Sequence, residues 1–330
     1  MAGGTKGSVL VCGGAGYVGS KLVFRLATQG YRVFVFDTFW FGPTLPRHPN
    51  IFPITYDMRE RPFIPTPTDG SRIKTVIHLA CISNDPCFDL NPALARAVNF
   101  ECFEPFVACA RERGVERFIY ASSSSVYGIS DAERVTEDHP LNPLTDYSRY
   151  KIECEKVLLR YQRHDFHPVI VRPATVCGTS PRMRFDLIVN LLTRQAIETG
   201  VITIHSETNC RPNIHIDDLC RLYEYLVERP LAQVSGQIFN AGGENMTLLE
   251  IAHWVALLTG AGIILKPTAT DGRSYRITSW LVERKIGFRP EKTVADAISD
   301  ICGAVRAGSL STAPSPLTVN IERMRELGLG

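Results

Sequence analysis

The sequence has no apolar run approaching the roughly 20 residues that cross a bilayer, and its N-terminus lacks the charged-then-apolar pattern of a secretory signal. No membrane partner is expected. Charge of one sign is equally scarce: 36 Lys and Arg stand against 34 Asp and Glu, a net +2, which offers no basic surface for nucleic acid. The ten cysteines include no Cys-x-x-Cys and no His/Cys spacing of a zinc site, so no metal is expected. Most of them lie inside apolar segments, where free Cys packs as a small hydrophobe. A reduced, cytoplasmic compartment is the expectation that follows. A chain of 330 residues is long enough for one large α/β unit with a smaller lobe.

What is present begins at Ser8, where an apolar strand runs straight into Gly13-x-x-Gly16-x-x-Gly19. Gly13 allows a tight exit from the strand, Gly16 lets a pyrophosphate approach the backbone, and Gly19 lets the next helix pack on the strand. That helix, with Tyr17 and Val18 at its start, turns its positive end on the anion. A second strand, Arg32 to Phe36, ends on Asp37. A carboxylate there accepts the ribose hydroxyls of adenosine and repels a 2′-phosphate, so NAD is expected rather than NADP. The fold class expected is α/β: a Rossmann doubly wound parallel sheet with a smaller mixed α/β C-terminal substrate lobe. Residues 1–178 would form the dinucleotide-binding part, rejoined by the chain at about 212–245, and 179–330 mainly the lobe.

Later strand tips carry further candidates. Ile51 to Tyr56 leads to Asp57 and Met58, where an acid can meet the adenine amino group or cap a helix. Lys74 to Ala80 brings Leu79 and Ala80 to the same edge, followed by Ser83; His78 within it is expected as a satisfied core residue. The periodicity over Asn91 to Arg113 predicts one long helix, with Asn99 anchoring backbone behind the cofactor. Arg117 to Ala121 then runs into four serines, Ser122 to Ser125, which suit a polar ligand better than a core. In the helix from Asp146, Tyr147 and Lys151 are four apart and share a face. An ammonium beside a phenol lowers its pKa, which would let Tyr147 act as acid and base near neutral pH.

Taken in order, Gly13-x-x-Gly16-x-x-Gly19, Asp57, Ser122 to Gly128 and Tyr147-x-x-x-Lys151 resemble the extended short-chain dehydrogenase/reductases. Within them the chain resembles the NAD-dependent nucleotide-sugar epimerase/dehydratase family, of the UDP-galactose 4-epimerase kind, over nearly its whole length. The resemblance implies NAD as cofactor, a nucleotide sugar as substrate, and Ser123, Tyr147 and Lys151 as catalytic residues. It adds Ser122 and Pro173 to the cofactor site, because Val169 to Pro173 with Gly178 resembles the strand and loop beneath the nicotinamide. Arg211 to Asp218 resembles the segment whose arginine grips the substrate phosphates, Phe239 to Gly243 the strand returning to the sheet, and Asp271 to Arg276 a loop closing over the nucleotide. Forked donors suit a diphosphate, which favours Arg211 and Arg273. Arg182, Arg184 and Asn190 are further candidates for the substrate, as are Ser83 and Ser124. A homodimer through the helices near 91–113 and 147–162 is also implied.

Two departures bear on the reaction. Sugar 4,6-dehydratases carry an Asp-Glu pair just before the Val-Tyr-Gly of the serine strand, whereas this chain has Ser124 and Ser125. Dehydration is thereby disfavoured. Cys177 replaces the family's tyrosine before Gly178 and is expected to line the pocket. The activity expected is epimerisation at C4 through a transient 4-keto sugar. Rivals are a nucleotide-sugar 4-ketoreductase or 4,6-dehydratase-like oxidoreductase, and a non-catalytic NAD(P)-sensing scaffold, which has no need of an activated phenol.

Overall fold

The computed structural model describes residues 6–267 and 274–330. The first half of the chain gives β1 (Ser8–Cys12), α1 (Tyr17–Thr28), β2 (Arg32–Asp37), β3 (Ile51–Thr55), β4 (Ile73–His78), α2 (Asp85–Leu90), α3 (Pro92–Arg96), α4 (Phe103–Glu112), β5 (Arg117–Ala121), α5 (Asp146–Arg160) and β6 (His167–Pro173). The second gives β7 (Thr175–Cys177), α6 (Ile188–Thr199), β8 (Val201–Ile204), β9 (Cys210–His215), α7 (Ile216–Glu228), α8 (Leu231–Val234), β10 (Gln237–Ala241), β11 (Glu244–Thr247), α9 (Leu248–Thr259), β12 (Gly262–Leu265), α10 (Trp280–Ile286), α11 (Val294–Arg306) and α12 (Asn320–Glu326).

Seven parallel strands lie in the order β3-β2-β1-β4-β5-β6-β10. The winding reverses between β1 and β4, which opens a crevice beyond the carboxyl ends of those strands. Alternation along each strand feeds two cores. Val9, Val11, Val33 and Val35 pack with Leu22 and Leu26 of α1 and Leu222 and Leu226 of α7. Leu10, Cys12, Phe34 and Phe36 pack on the other face with Phe103 and Phe106 of α4 and Leu158 of α5. Both faces are covered, which is why these strands read as continuous apolar runs. Truncating a fully buried leucine such as Leu22 to Ala in such a core costs about 2–5 kcal/mol.

The later chain divides between this unit and the lobe. Strand β10 joins β6, and Val282, Ile286 and Phe288 enter the α1 core. The lobe packs α6, α9 and α11 around Val189, Leu192, Ile202, Ile251, Val255 and Ile298. Helices α9 and α11 each start with a capping box, Thr247 with Glu250 and Thr293 with Asp296.

The helix expected over 91–113 is interrupted. Asn91 ends α2, and its side chain accepts from Leu94 N–H to start α3 at Pro92; a π-helical turn, Ala97–Glu101, then separates α3 from α4. Apolar spacing does not register one inserted residue, so the break is invisible to periodicity. His78 is core, but neither ring nitrogen has a hydrogen-bond partner. Burial among aromatic neighbours lowers its pKa to about 3 and keeps it neutral. All ten cysteines are free. No helix among the described residues is long and apolar enough to cross a membrane.

Candidate active site

The ends of β1, β2, β4 and β5 open onto a cleft of about 480 Å³. The chain leaves β1 through Gly13 at φ +73°, where a Cβ would stand 2.6 Å from Ala80 N. At Gly19 a Cβ would meet Gly13 O at 2.3 Å, so the turn and α1 can close on each other only without side chains there. Gly16 caps α1 with no side-chain acceptor, and the first turn holds no acidic residue. The amino end of α1 therefore presents N–H groups and a positive dipole to the cleft. The Asp37 carboxylate accepts from Ala15 N–H and Phe39 N–H, each at 2.9 Å. Burial raises its pKa against the pull of those bonds, and each oxygen retains acceptor capacity for a vicinal diol. An anion seat one side and a diol acceptor on the other fit a dinucleotide.

Tyr17, Val18, Asp57, Met58, Leu79, Ala80 and Pro173 line the same cleft with Gly13 and Gly16. The Tyr17 hydroxyl is spent on Gly178 O at 2.6 Å. Arg59 grips Asp57 through two nitrogens and holds its pKa below the ordinary value.

Ser122, Ser123, Ser124 and Ser125 line this cleft together with Tyr147 and Lys151. Lys151 is buried; its Nζ donates to Ala121 O at 2.7 Å and lies 5.6 Å from the Tyr147 ring centroid. Burial pushes the Tyr147 phenol up, Lys151 pulls it down, and burial prevails. Lys151 thus acts in the expected direction, against a burial effect that outweighs it in the protein alone.

The serines form a directed chain. Thr145 Oγ1 donates to Ser148 Oγ at 3.2 Å, Ser148 and Ser125 hydroxyls are 2.8 Å apart, and Ser125 and Ser123 hydroxyls 2.9 Å. With Thr145 donating, each proton passes one step towards Ser123. Ser123 Oγ also accepts the Ser125 N–H at 3.2 Å. Both its acceptor positions are then filled, and its own proton is left to point into the cleft. Behind this chain Ser122 donates to Glu155, which Arg172 clamps at 3.0 and 2.7 Å. Ser124 exchanges a hydrogen bond with Tyr275 at 3.1 Å.

Of the substrate candidates, Ser83, Ser124, Arg182, Arg184 and Arg211 line the cleft. Asn190 does not. Its Oδ1 accepts from Gly178 N–H, and its Nδ2 donates to Tyr17 and to Arg184 O. That fully buried amide is spent on the fold, so Asn190 shapes the wall and is corrected from ligand to support. Asn99 also stands off the cleft, trading bonds of 2.8 and 2.9 Å with the Ile82 backbone. Cys177 is fully buried with its thiol towards Ile214 O, not in the pocket lining. Arg273 lies outside the described residues. Sequence reasoning missed Cys81, Leu219, Tyr223 and Asn320, all of which line the cleft. None stands in a motif; each arrives through the tertiary fold.

The profile of the NAD dependent epimerase/dehydratase family matches residues 9–242. UDP-glucose 4-epimerase of Lactobacillus helveticus is 26% identical over 272 residues, covering 77% of this chain and 82% of that protein. dTDP-glucose 4,6-dehydratase of Streptomyces griseus is 27% identical over 308 residues, covering 88% and 92%. Among solved structures, MoeE5 in complex with UDP-glucuronic acid and NAD superposes with a TM-score of 0.77 at 25% identity, covering 91% of this chain and 99% of that one.

Proposed function

The chain belongs to the NAD dependent epimerase/dehydratase family, and we propose that within it the protein is a nucleoside-diphosphate-sugar 4-epimerase working through a transient 4-keto sugar. The observation that carries this reading is the serine wall: a donor at Ser123 beside Tyr147, with hydroxyls at Ser124 and Ser125 where dehydration would call for carboxylates. Tyr147 Oη, as phenolate, takes the proton of the C4 hydroxyl. Lys151 favours that phenolate by its charge. Ser123 donates to the same oxygen, as hydroxyl and as carbonyl, so its bond strengthens as the ketone forms. When bound, NAD would supply the hydride acceptor and, once reduced, the donor that gives the hydride back. After the ketone has turned in the cleft, so that C4 can take back its hydride on the opposite face, Tyr147 returns the proton to the C4 oxygen.

Arg211 on β9 is placed here at the substrate phosphates, with Ser124 and Tyr275 near the sugar; Arg273 is retained in the same role. The lobe carrying α6, α9 and α11 is assigned to the nucleotide sugar. We infer a homodimer through the helices near 91–113 and 147–162, where Phe100, Glu101, Glu104, Pro105, Ala108, Val157 and Tyr161 line a shallow groove. The test is incubation with UDP-, GDP-, CDP- and dTDP-sugars. C4 epimers formed with no net redox change support the reading; a 4-ketoreductase would instead consume external NAD(P)H, and a scaffold would turn nothing over.

A further inference from the structure

The described residues that line the cleft include four cations: Lys151, Arg182, Arg184 and Arg211. Three have an assignment or a partner. Lys151 serves Tyr147, Arg184 is paired with Asp186 at 2.9 Å, and Arg211 rises from the lobe on β9. Arg182 is different. It is 3% exposed, it has no ion pair among the described residues, and its Nε is buried without a hydrogen-bond partner. A buried guanidinium left without a counter-charge is costly unless a ligand supplies one.

Its neighbours place it on the glycine-turn side. The backbone N–H of Arg182 donates to Ser20 Oγ in α1 at 3.4 Å, and its guanidinium lies 3.7 Å from the centroid of Phe41, four residues beyond Asp37. The segment after β4, Cys81 to Pro86, contains no Lys or Arg, and Lys21 of α1 is paired with Asp217. Among the described residues no other cleft-lining cation is left for that side. Burial, then the charge of Arg184, disfavours the charged form of Arg182 in the protein alone.

The guanidinium is held by the last helix. Arg182 Nη2 donates to Asn320 Oδ1, and Asn320 Nδ2 donates to Ser83 Oγ at 2.9 Å. Arg323, one turn on, donates to Trp40 O. Helix α12 thus ties together the segment after β2, the segment after β4 and the Arg182 loop.

We propose that Arg182 binds a diphosphate at the amino end of α1, that this is the diphosphate of the dinucleotide, and that Asn320 of α12 positions it. The proposal rests on the dinucleotide cleft and not on the choice of epimerisation. Its probes are ADP-ribose, adenosine and UDP, titrated calorimetrically into the full chain and its variants. Arg182→Gln is expected to weaken ADP-ribose about 10- to 100-fold, the loss of charge-assisted bonds to one anion, with adenosine and UDP unchanged. Asn320→Ala is expected to weaken ADP-ribose about 3- to 10-fold, the scale of one neutral hydrogen bond, and Arg182→Lys to fall between wild type and Arg182→Gln. Loss of UDP with ADP-ribose retained would assign the arginine to the substrate and overturn the proposal. Equal loss of adenosine would show a structural role, and no change in any probe would show no anion site; either overturns it. Should Arg182→Gln fail to fold, Arg182→Lys and Asn320→Ala carry the same comparison. A wild-type chain that ignored ADP-ribose would refute the dinucleotide cleft itself, a result distinct from all of these.

Discussion

On the wall built by β5 and α5, each of the four serines is bonded to another protein group. On the wall built by β1, β2 and the Arg182 loop, the amino end of α1 has no capping side chain and a buried guanidinium nitrogen has no partner. Both walls are polar, yet the serine hydroxyls of one are all bonded within the protein and the other keeps donors without a partner. A satisfied network holds donors in fixed directions, which is what a reacting oxygen needs. Unsatisfied donors gathered at one place are what an anion needs. In the proposed reading the contrast separates where chemistry is done from where a ligand is held.

Substitutions on the first wall should therefore change turnover or stability and leave dinucleotide affinity alone. Tyr147→Phe removes the proton acceptor and is expected to lower kcat at least about 10²- to 10⁴-fold with ADP-ribose affinity unchanged; full activity would remove the assignment. Glu155→Gln leaves Arg172 buried at 3% side-chain exposure without its counter-ion. Denaturant unfolding should show a loss of about 3–5 kcal/mol, the usual cost of breaking a buried pair. Ser148→Ala cuts the hydroxyl chain that orients Ser123, at a cost near one hydrogen bond, and kcat should fall about 5-fold with KM little changed. Restored kcat in Ser148→Thr would confirm that the hydroxyl is what matters.

The smallest of these tests is a displacement in pH rather than a loss. Burial raises the Tyr147 pKa and Lys151 opposes it. Removing the ammonium in Lys151→Met removes the lowering influence, so phenolate forms at higher pH. The ascending limb of kcat/KM is expected to move to higher pH; movement to lower pH would contradict the pairing.

The same division explains what the sequence shows and what it hides. Gly13, Gly19, Asp37 and the Tyr147–Lys151 pair are legible because each acts within one strand-turn-helix or one helical turn. The sheet is legible because strands buried on both faces read as apolar runs. Asn190 looks like a ligand because nothing local reveals that its amide is spent on Gly178 and Tyr17, the latter 173 positions away. Asn320 is invisible for the same reason, since its partner Arg182 is 138 residues distant. Cys177 is misread because a strand of three residues gives too little alternation to tell core from cleft.

The central claim is that hydrogen leaves and returns to the same sugar carbon. A nucleotide sugar deuterated at C4, incubated with the protein and read by NMR, tests it most directly. Deuterium retained at C4 in both epimers is the predicted result, whereas deuterium on another sugar carbon, or lost to added nicotinamide nucleotide, would contradict it.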